Sequence, residues 1–432
     1  MKVVYVSQPY DRLFPPVQNS IGLIVYHTAV RLSREVAIRV YGRHYSDDPV
    51  PDDLAFRVRR LPVLGDRLVR KLARSFPQLS RWLGLDRRAD DHAQYRAKVR
   101  RCLAEDRPDI VHVMNYWSWC RALKGDGRRL VLEMHCEWLS QRDRRQVARQ
   151  LEAVDAVVAV SDHIATTFRA AFPDYPGMVA TVGNGVDVTV FTPLETPVPA
   201  RDQRRRILFV GRISPEKGLH TLIEAFAEVA RQVGDVELAI AGPQAALSPD
   251  FLTSLSPDPR VSALLRFYDD RGTCTYKRDL ERLVEREGLG DRVRFLGNVT
   301  HADLVAMYQA VDVVVNPSLS ESFGISVVEG MACGVPVVGT RIGGMCESIA
   351  HGSTGILVEA EAPDELARAL VSVLGDPARA AAMGRAGRKR AVELYSWEAR
   401  ARRLLAVYEA LTAQAEPPES AAQPGEARRA AR

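Results

Sequence analysis

No stretch of this 432-residue chain approaches the roughly 20 consecutive apolar residues that a membrane-spanning helix needs. The opening MKVVYVSQPY carries only a short apolar run, so it reads as a first β-strand and not as a secretory leader. Cysteine is sparse as well. The six (Cys102, Cys120, Cys136, Cys274, Cys333 and Cys346) stand apart, without a CxxC or a close histidine pairing. That spacing argues against a structural zinc site or a disulfide framework and suits a reducing cytoplasm. Charge of one sign is also in short supply: a net +5 is too little to point to nucleic acid. The acidic pairs Asp47–Asp48, Asp52–Asp53, Asp90–Asp91 and Asp269–Asp270 sit in polar stretches and read as solvated, so no metal-binding carboxylate pair is expected. The last residues, AEPPESAAQPGEARRAAR, lack large apolar side chains. They cannot bury enough surface to offset their ordering entropy, and residues 414–432 are expected to be disordered.

What is present is the composition of a globular enzyme, 46% apolar and 26% charged. The length is too great for one ordinary core and suggests two domains of roughly 150–200 residues each. Short β-branched runs alternate with helical patterns along the whole chain. The expected strands are 2–7, 36–42, 109–114, 129–135 and 155–161 in the first half, and 207–211, 236–242, 293–297, 312–318 and 335–340 in the second. Runs this apolar belong to parallel strands buried on both faces. Between them, Leu219, Leu222, Ile223, Phe226, Ala230 and Val233 share one face of a helix over 218–233. Leu304, Met307, Tyr308 and Val311 do the same over 301–311, with Thr300 and Asp303 resembling a capping box. The expectation is an α/β protein of two doubly wound, Rossmann-like domains facing a cleft. The segment 186–206, with its prolines and charges, lies between the halves.

Two stretches carry the chemistry. In ILFVGRISPEKGLHTLIEAF (207–226), a strand ends at Gly211, and Arg212 and Lys217 occupy the loop before a helix. Two cations beside free helix N–H groups suit a phosphate or diphosphate. The glycine spacing and GK[ST] ending of a Walker loop are absent. The plain alternative is two solvated surface charges. In ESFGISVVEG (321–330), Ser320 or Ser322 is expected to cap a helix from about Gly324 to Cys333. Glu321 then stands before the helix, the N–H groups of Phe323, Gly324 and Ile325 are left for a ligand, and Glu329 lies more than one turn in. Two carboxylates so placed suit separate hydroxyl groups of one long ligand.

These motifs, with VRFLGNVTHADLVAMYQAVDVVVNPSLSESFGISVVEGMACGVPVVGTRIGGMCESIAHGSTGILVE, resemble the donor domain of the retaining GT-B glycosyltransferases of family GT4. The resemblance covers about residues 200–400, with Glu321 and Glu329 as the E-x7-E pair. The first half is similar more loosely, through PPVQNSIGLIVYHTAVRL, VLEMH and TVGNGVD. It implies an acceptor-binding domain over 1–190, a linker over 191–206, a nucleotide-sugar domain over 207–395 and a helix over 396–413 crossing back to the first domain. It implies that Arg212 and Lys217 bind the donor diphosphate near Gly211. Glu329 would hold the ribose; Glu321, Phe323, Gly324 and Ile325 the sugar and distal phosphate; Asn298 and Val299 the base. His135 would lie at the reacting centre and Asn184 at the cleft wall. The implied activity is metal-independent transfer of a hexose from a UDP- or GDP-sugar, with no further cofactor, to a saccharide, a lipid-linked saccharide or a small natural product. A sugar-nucleotide epimerase or a non-catalytic sugar-nucleotide binding protein on the same fold stands as the alternative.

Three departures from the pattern are visible. Where the family carries a Gly-Gly pair near the donor phosphate, this chain has Asn19-Ser20, with Gly22 just beyond, so Ser20 and Gly22 take that role in a stiffer loop. An extra stretch at 242–280, with Phe267 and Tyr268, is an acceptor-side lid, an oligomer contact or decoration. The basic segment 57–88 interleaves arginines with Leu68, Leu72, Phe76, Leu79 and Leu83. It reads either as a peripheral contact with an anionic membrane, at the inner face of a cytoplasmic enzyme, or as a solvated arginine-rich face.

Overall fold

The computed structural model describes residues 1–15, 19–45, 47, 50–63, 66, 71, 75, 92–194 and 204–413. The tail expected at 414–432, the linker interior at 195–203 and most of the basic segment 57–88 lie outside the described residues.

Hydrophobic strands buried on both faces build two parallel sheets. The first contains β1 (Lys2–Val6), β2 (Ala37–Arg43), β3 (Arg57–Leu61), β4 (Ile110–Met114), β5 (Arg129–Met134), β6 (Ala156–Ala159) and β7 (Met178–Thr181). Its order is β3-β2-β1-β4-β5-β6-β7, parallel throughout. The second contains β8 (Arg205–Val210), β9 (Val236–Ala241), β10 (Val293–Gly297), β11 (Val313–Asn316), β12 (Val337–Thr340) and β13 (Gly355–Val358). Its order, β10-β9-β8-β11-β12-β13, is again parallel throughout. Both sheets reverse their winding beside the first strand, β1/β4 in one and β8/β11 in the other. The crevices where such folds bind ligands open at these two points.

The helix Leu219–Val233 buries Leu219, Leu222, Ile223, Phe226 and Ala230 as its periodicity requires. Helix Pro363–Gly375 packs against it. Helix His301–Gln309 begins at Thr300, whose hydroxyl oxygen accepts from the Asp303 N–H. The last helix, Trp397–Ala413, returns to the first half and packs on helix Ser20–Leu32, burying Trp397, Leu404, Tyr408 and Leu411. Ser396 bridges to Val186 beside it, so the crossing between halves and the return lie side by side.

Three strands escaped the sequence reading: β3, β7 and β13. The first lies at the start of the basic segment. Arg57–Leu61 is an edge strand, and Arg59 pairs with Glu105 at 2.6 Å. An edge tolerates such charge because one flank faces solvent. The other two, MVAT and GILV, are four residues long. Among the described residues no helix is long and apolar enough to cross a membrane.

Candidate active site

The second sheet's crevice is formed by the loops after β8 and β11. Gly218 locks them together. Its φ is +66°, and a Cβ there would stand 2.1 Å from the Pro317 carbonyl oxygen. Only glycine accepts both the left-handed backbone and that approach. The Leu319 N–H donates to the Glu216 carbonyl at 2.8 Å, tying the same loops a second time.

Lys217 therefore projects toward the start of helix Ile325–Ala332. Its Nζ donates to Glu321 Oε2 at 2.7 Å. Glu321 Oε1 accepts from the Gly324 N–H at 3.1 Å and the Phe323 N–H at 3.4 Å. This overturns two expectations. No serine caps the helix, and the N–H groups of Phe323 and Gly324 are not free: Glu321 folds back onto them. A serine hydroxyl is a weaker acceptor than an ionised carboxylate at a helix's positive end. Burial pushes the Glu321 carboxyl up, but Lys217 and the two N–H donors outweigh it and hold the group below its ordinary value.

Arg212 stands beside this pair and is engaged as well. Its Nη2 donates to Glu216 Oε1 at 2.9 Å, and the Ser214 hydroxyl donates to the other Glu216 oxygen. Glu216 is almost wholly buried, so its charge is matched inside the loop. Gly211 anchors the loop's start through its N–H to the Ala241 carbonyl. Both cations are thus held by internal carboxylates at a helix N-terminus, an arrangement suited to receive a polyanion.

Glu329 does not touch Glu321. It lies one turn into the helix and accepts from the buried Tyr308 hydroxyl at 2.8 Å. Burial drives its carboxyl up to about 7, against the opposing effect of the Tyr308 bond. Asn298 is exposed after β10, and Val299 is partly buried against the core.

The first half supplies the facing wall. His135 follows β5, with its Nε2 2.8 Å from Glu133 Oε1. Asn184 is buried, and its Oδ1 has no hydrogen-bond partner among the described residues. Its neighbour Gly183 lies against the Phe323 ring, so the two halves meet at the start of the Glu321 helix. Ser20 opens helix Ser20–Leu32 and is exposed. Asn19, not Ser20, caps that helix by accepting from the Gly22 N–H at 3.0 Å. A Cβ on Gly22 would stand 1.8 Å from the Arg12 carbonyl oxygen, so close packing of the first loop accounts for this glycine.

A cavity of ≈ 510 Å³ joins the halves, with Glu321 and Arg341 on one side and Glu137 and His163 on the other. Ser256 and Asp258 of the extra stretch also line it. That stretch folds around Leu252, Val261 and Leu264, and its Phe251 meets Trp138 of the first half edge-on, ring centroids 5.8 Å apart. Glu347 crosses between halves too, accepting from the Asp162 and His163 N–H groups at 2.7 and 2.8 Å. Sequence reasoning missed Glu216, Tyr308 as the partner of Glu329, and Glu347. Of these only Glu216 carried a signal, standing inside GRISPEKG.

Residues 194–390 match the family described as glycosyl transferases group 1, and residues 21–190 match glycosyltransferase family 4. Among curated relatives, the D-inositol 3-phosphate glycosyltransferase of Corynebacterium urealyticum is 31% identical, over 63% of this chain and 62% of that protein. The enzyme of that name from Thermobifida fusca is 31% identical over 69% of each. The chain thus spans about three-fifths of the length of the first of these. In three dimensions the chain is similar to sucrose-phosphate synthase from Thermosynechococcus elongatus, with TM-score 0.68, 23% identity and coverage of 96% of this chain and 99% of that one. It is similar also to Anabaena HepE in complex with UDP and glucose, with TM-score 0.67, 20% identity and coverage of 95% and 99%. Two switch-point crevices facing one another, with Lys217 and the E-x7-E pair in the second, agree with both kinds of match: the chain belongs to glycosyltransferase family 4 and has the GT-B fold.

Proposed function

We propose that the chain is a retaining transferase that moves a hexose from a UDP- or GDP-sugar to a hydroxyl of a saccharide, lipid-linked saccharide or small-molecule acceptor. The observation that carries this reading is the convergence of Lys217 Nζ and the helix-start N–H groups on one carboxylate, Glu321, at the second sheet's switch point. Groups arranged to hold a carboxylate there will hold a phosphate more strongly, because it carries more charge and more acceptor oxygens. HepE crystallised with UDP and glucose supports a uridine donor, and the inositol phosphate relatives support a small polyhydroxylated acceptor.

On this reading the donor diphosphate takes the Lys217 and helix-start positions, and Glu321 turns to the sugar hydroxyls. Glu329 accepts from the ribose hydroxyls. The C1–O bond to the phosphate breaks while the acceptor oxygen bonds to C1 on the same face. The acceptor's proton passes to the departing phosphate oxygen. Negative charge grows on the nucleoside diphosphate, and Lys217, Arg212 and the N–H groups stabilise it without a required metal. His135 stands across the cleft at the reacting carbon.

A calorimetric panel of nucleoside diphosphates and their hexoses tests the donor. Saturable binding of one base, tightened or preserved by its sugar, is expected. Absence of binding across the panel would sink the proposal.

A further inference from the structure

The first half contains a fully buried charge cluster for which donor binding has no use. On one face of the first sheet, Tyr5 of β1, His112 of β4 and Glu133 of β5 stand close together. The last helix closes over them with Arg400 and Tyr408. Arg400 Nη2 donates to Glu133 Oε1 at 2.6 Å, and His112 Nε2 lies 2.9 Å from Oε2. His112 Nδ1 is 2.6 Å from the Tyr408 hydroxyl, which is 2.8 Å from that of Tyr5.

Docking a helix does not require this. A buried ion pair is generally no more stabilising than apolar groups of the same volume. Arg400 is in any case bound elsewhere, to the Thr28 hydroxyl and the Val182 and Gly183 carbonyls. The informative contact is the one that leaves the helix interface. His135, at the strand end that faces the cleft, sets its Nε2 2.8 Å from the same Glu133 oxygen that Arg400 holds. Its side chain is 8% exposed, and its Nε2 is buried beside this carboxylate as a charge contact, outside hydrogen-bond alignment. Burial would raise the Glu133 carboxyl, but Arg400, His135 and His112 more than offset it and keep the group ionised.

We infer that Glu133 is a positioning residue for His135 and that Arg400 of the returning helix holds Glu133 in place for that task. The carboxylate's charge, 2.8 Å from Nε2, favours the proton on that nitrogen, which leaves Nδ1 as the acceptor on the substrate side. The last helix is then part of the reaction centre's support as well as a clamp between domains. The inference rests on the reading of His135 at the reacting centre.

The test uses the full chain and the UDP- or GDP-hexose selected by calorimetry, with two readouts: kinetics and the side-chain 15N signals of His135. Glu133→Met with Arg400→Met removes both charges without orphaning either. It is expected to lower kcat about tenfold or more while donor KM stays within about twofold. The His135 signals should pass from a fixed Nε2–H state to an average of ring states. Glu133→Gln, which keeps an acceptor oxygen, should recover part of kcat. Tyr408→Phe cuts the network on the His112 side only. It should lower thermal stability and leave kcat and the His135 signals as in the wild type. A folded double variant with wild-type kcat or unchanged His135 signals would overturn the inference, as would a Tyr408→Phe variant that reproduces the loss. His135→Ala turning over at the wild-type rate would instead overturn the reading beneath it, while the signals of the Glu133 variants still report the contact.

Discussion

Lys217 and Glu321 form a 2.7 Å ion pair across two loops 104 residues apart, and the same carboxylate closes the start of the next helix. Under the proposed function, the donor diphosphate displaces Glu321 when it occupies the site. Two variants should respond with opposite signs. Lys217→Ala should weaken binding of the nucleoside diphosphate and lower kcat about 100-fold or more, since the cation is aimed at charge that develops on the leaving group. Glu321→Gln removes the competing anion, and binding of the sugar-free nucleoside diphosphate should tighten about 1.5-fold to fivefold, the range for one partly exposed ion pair. Its turnover should nonetheless fall, because the sugar loses an acceptor. Calorimetry and kinetics on the two variants check both signs; weaker nucleotide binding in Glu321→Gln would contradict displacement.

Glu329 predicts a pH dependence. Its folded-state pKa, about 7, lies above the ordinary glutamate value of 4.5. The folded chain thus binds more protons between those values than the unfolded one, so this group's contribution to stability declines as pH rises from about 4.5 to about 7. Glu329→Gln should gain thermal stability relative to the wild type at pH 8 compared with pH 5. Ribose hydroxyls favour the ionised form, so nucleotide binding near pH 6 should release a proton. Titration calorimetry in buffers of differing ionisation enthalpy reads that release, and its absence would remove Glu329 from the ribose site.

Gly218→Ala tests whether the two donor loops act as one unit. The methyl group would meet the Pro317 carbonyl at 2.1 Å on a left-handed backbone. A stability loss of about 2–3 kcal/mol is expected, with weaker nucleotide binding because Lys217 shifts relative to the helix start. Denaturant unfolding and calorimetry on the same preparation would show whether the two losses travel together.

The Phe251–Trp138 contact makes the extra stretch part of the cleft wall. A double-mutant cycle of the two alanine variants should give a coupling of about 1 kcal/mol in thermal unfolding. Zero coupling would return the stretch to decoration.

The alternation of buried strands and amphipathic helices in the sequence carried both sheets, because parallel strands must be apolar on both faces. It missed β3, where RVRRL hides an edge strand under charge, and the four-residue β7 and β13. The position of Lys217, Glu321 and Glu329 was legible: the first two stand in loops at strand ends and the third on the helix Ile325–Ala332. What those residues touch without ligand was not legible. Glu321 folds onto the Phe323 and Gly324 N–H groups just before the helix, and Arg212 rests on Glu216, because contacts between loops depend on the switch-point packing of Gly218 and Pro317. The Glu133–Arg400 pair, 267 residues apart, had no local pattern to reveal it.

The most direct test of the account is turnover of the selected nucleotide hexose, with the product anomer read by proton NMR. The account predicts nucleoside diphosphate release that depends on Lys217 and a product that keeps the donor's anomeric configuration. Release that persists in Lys217→Ala, or a product of inverted configuration, would contradict it.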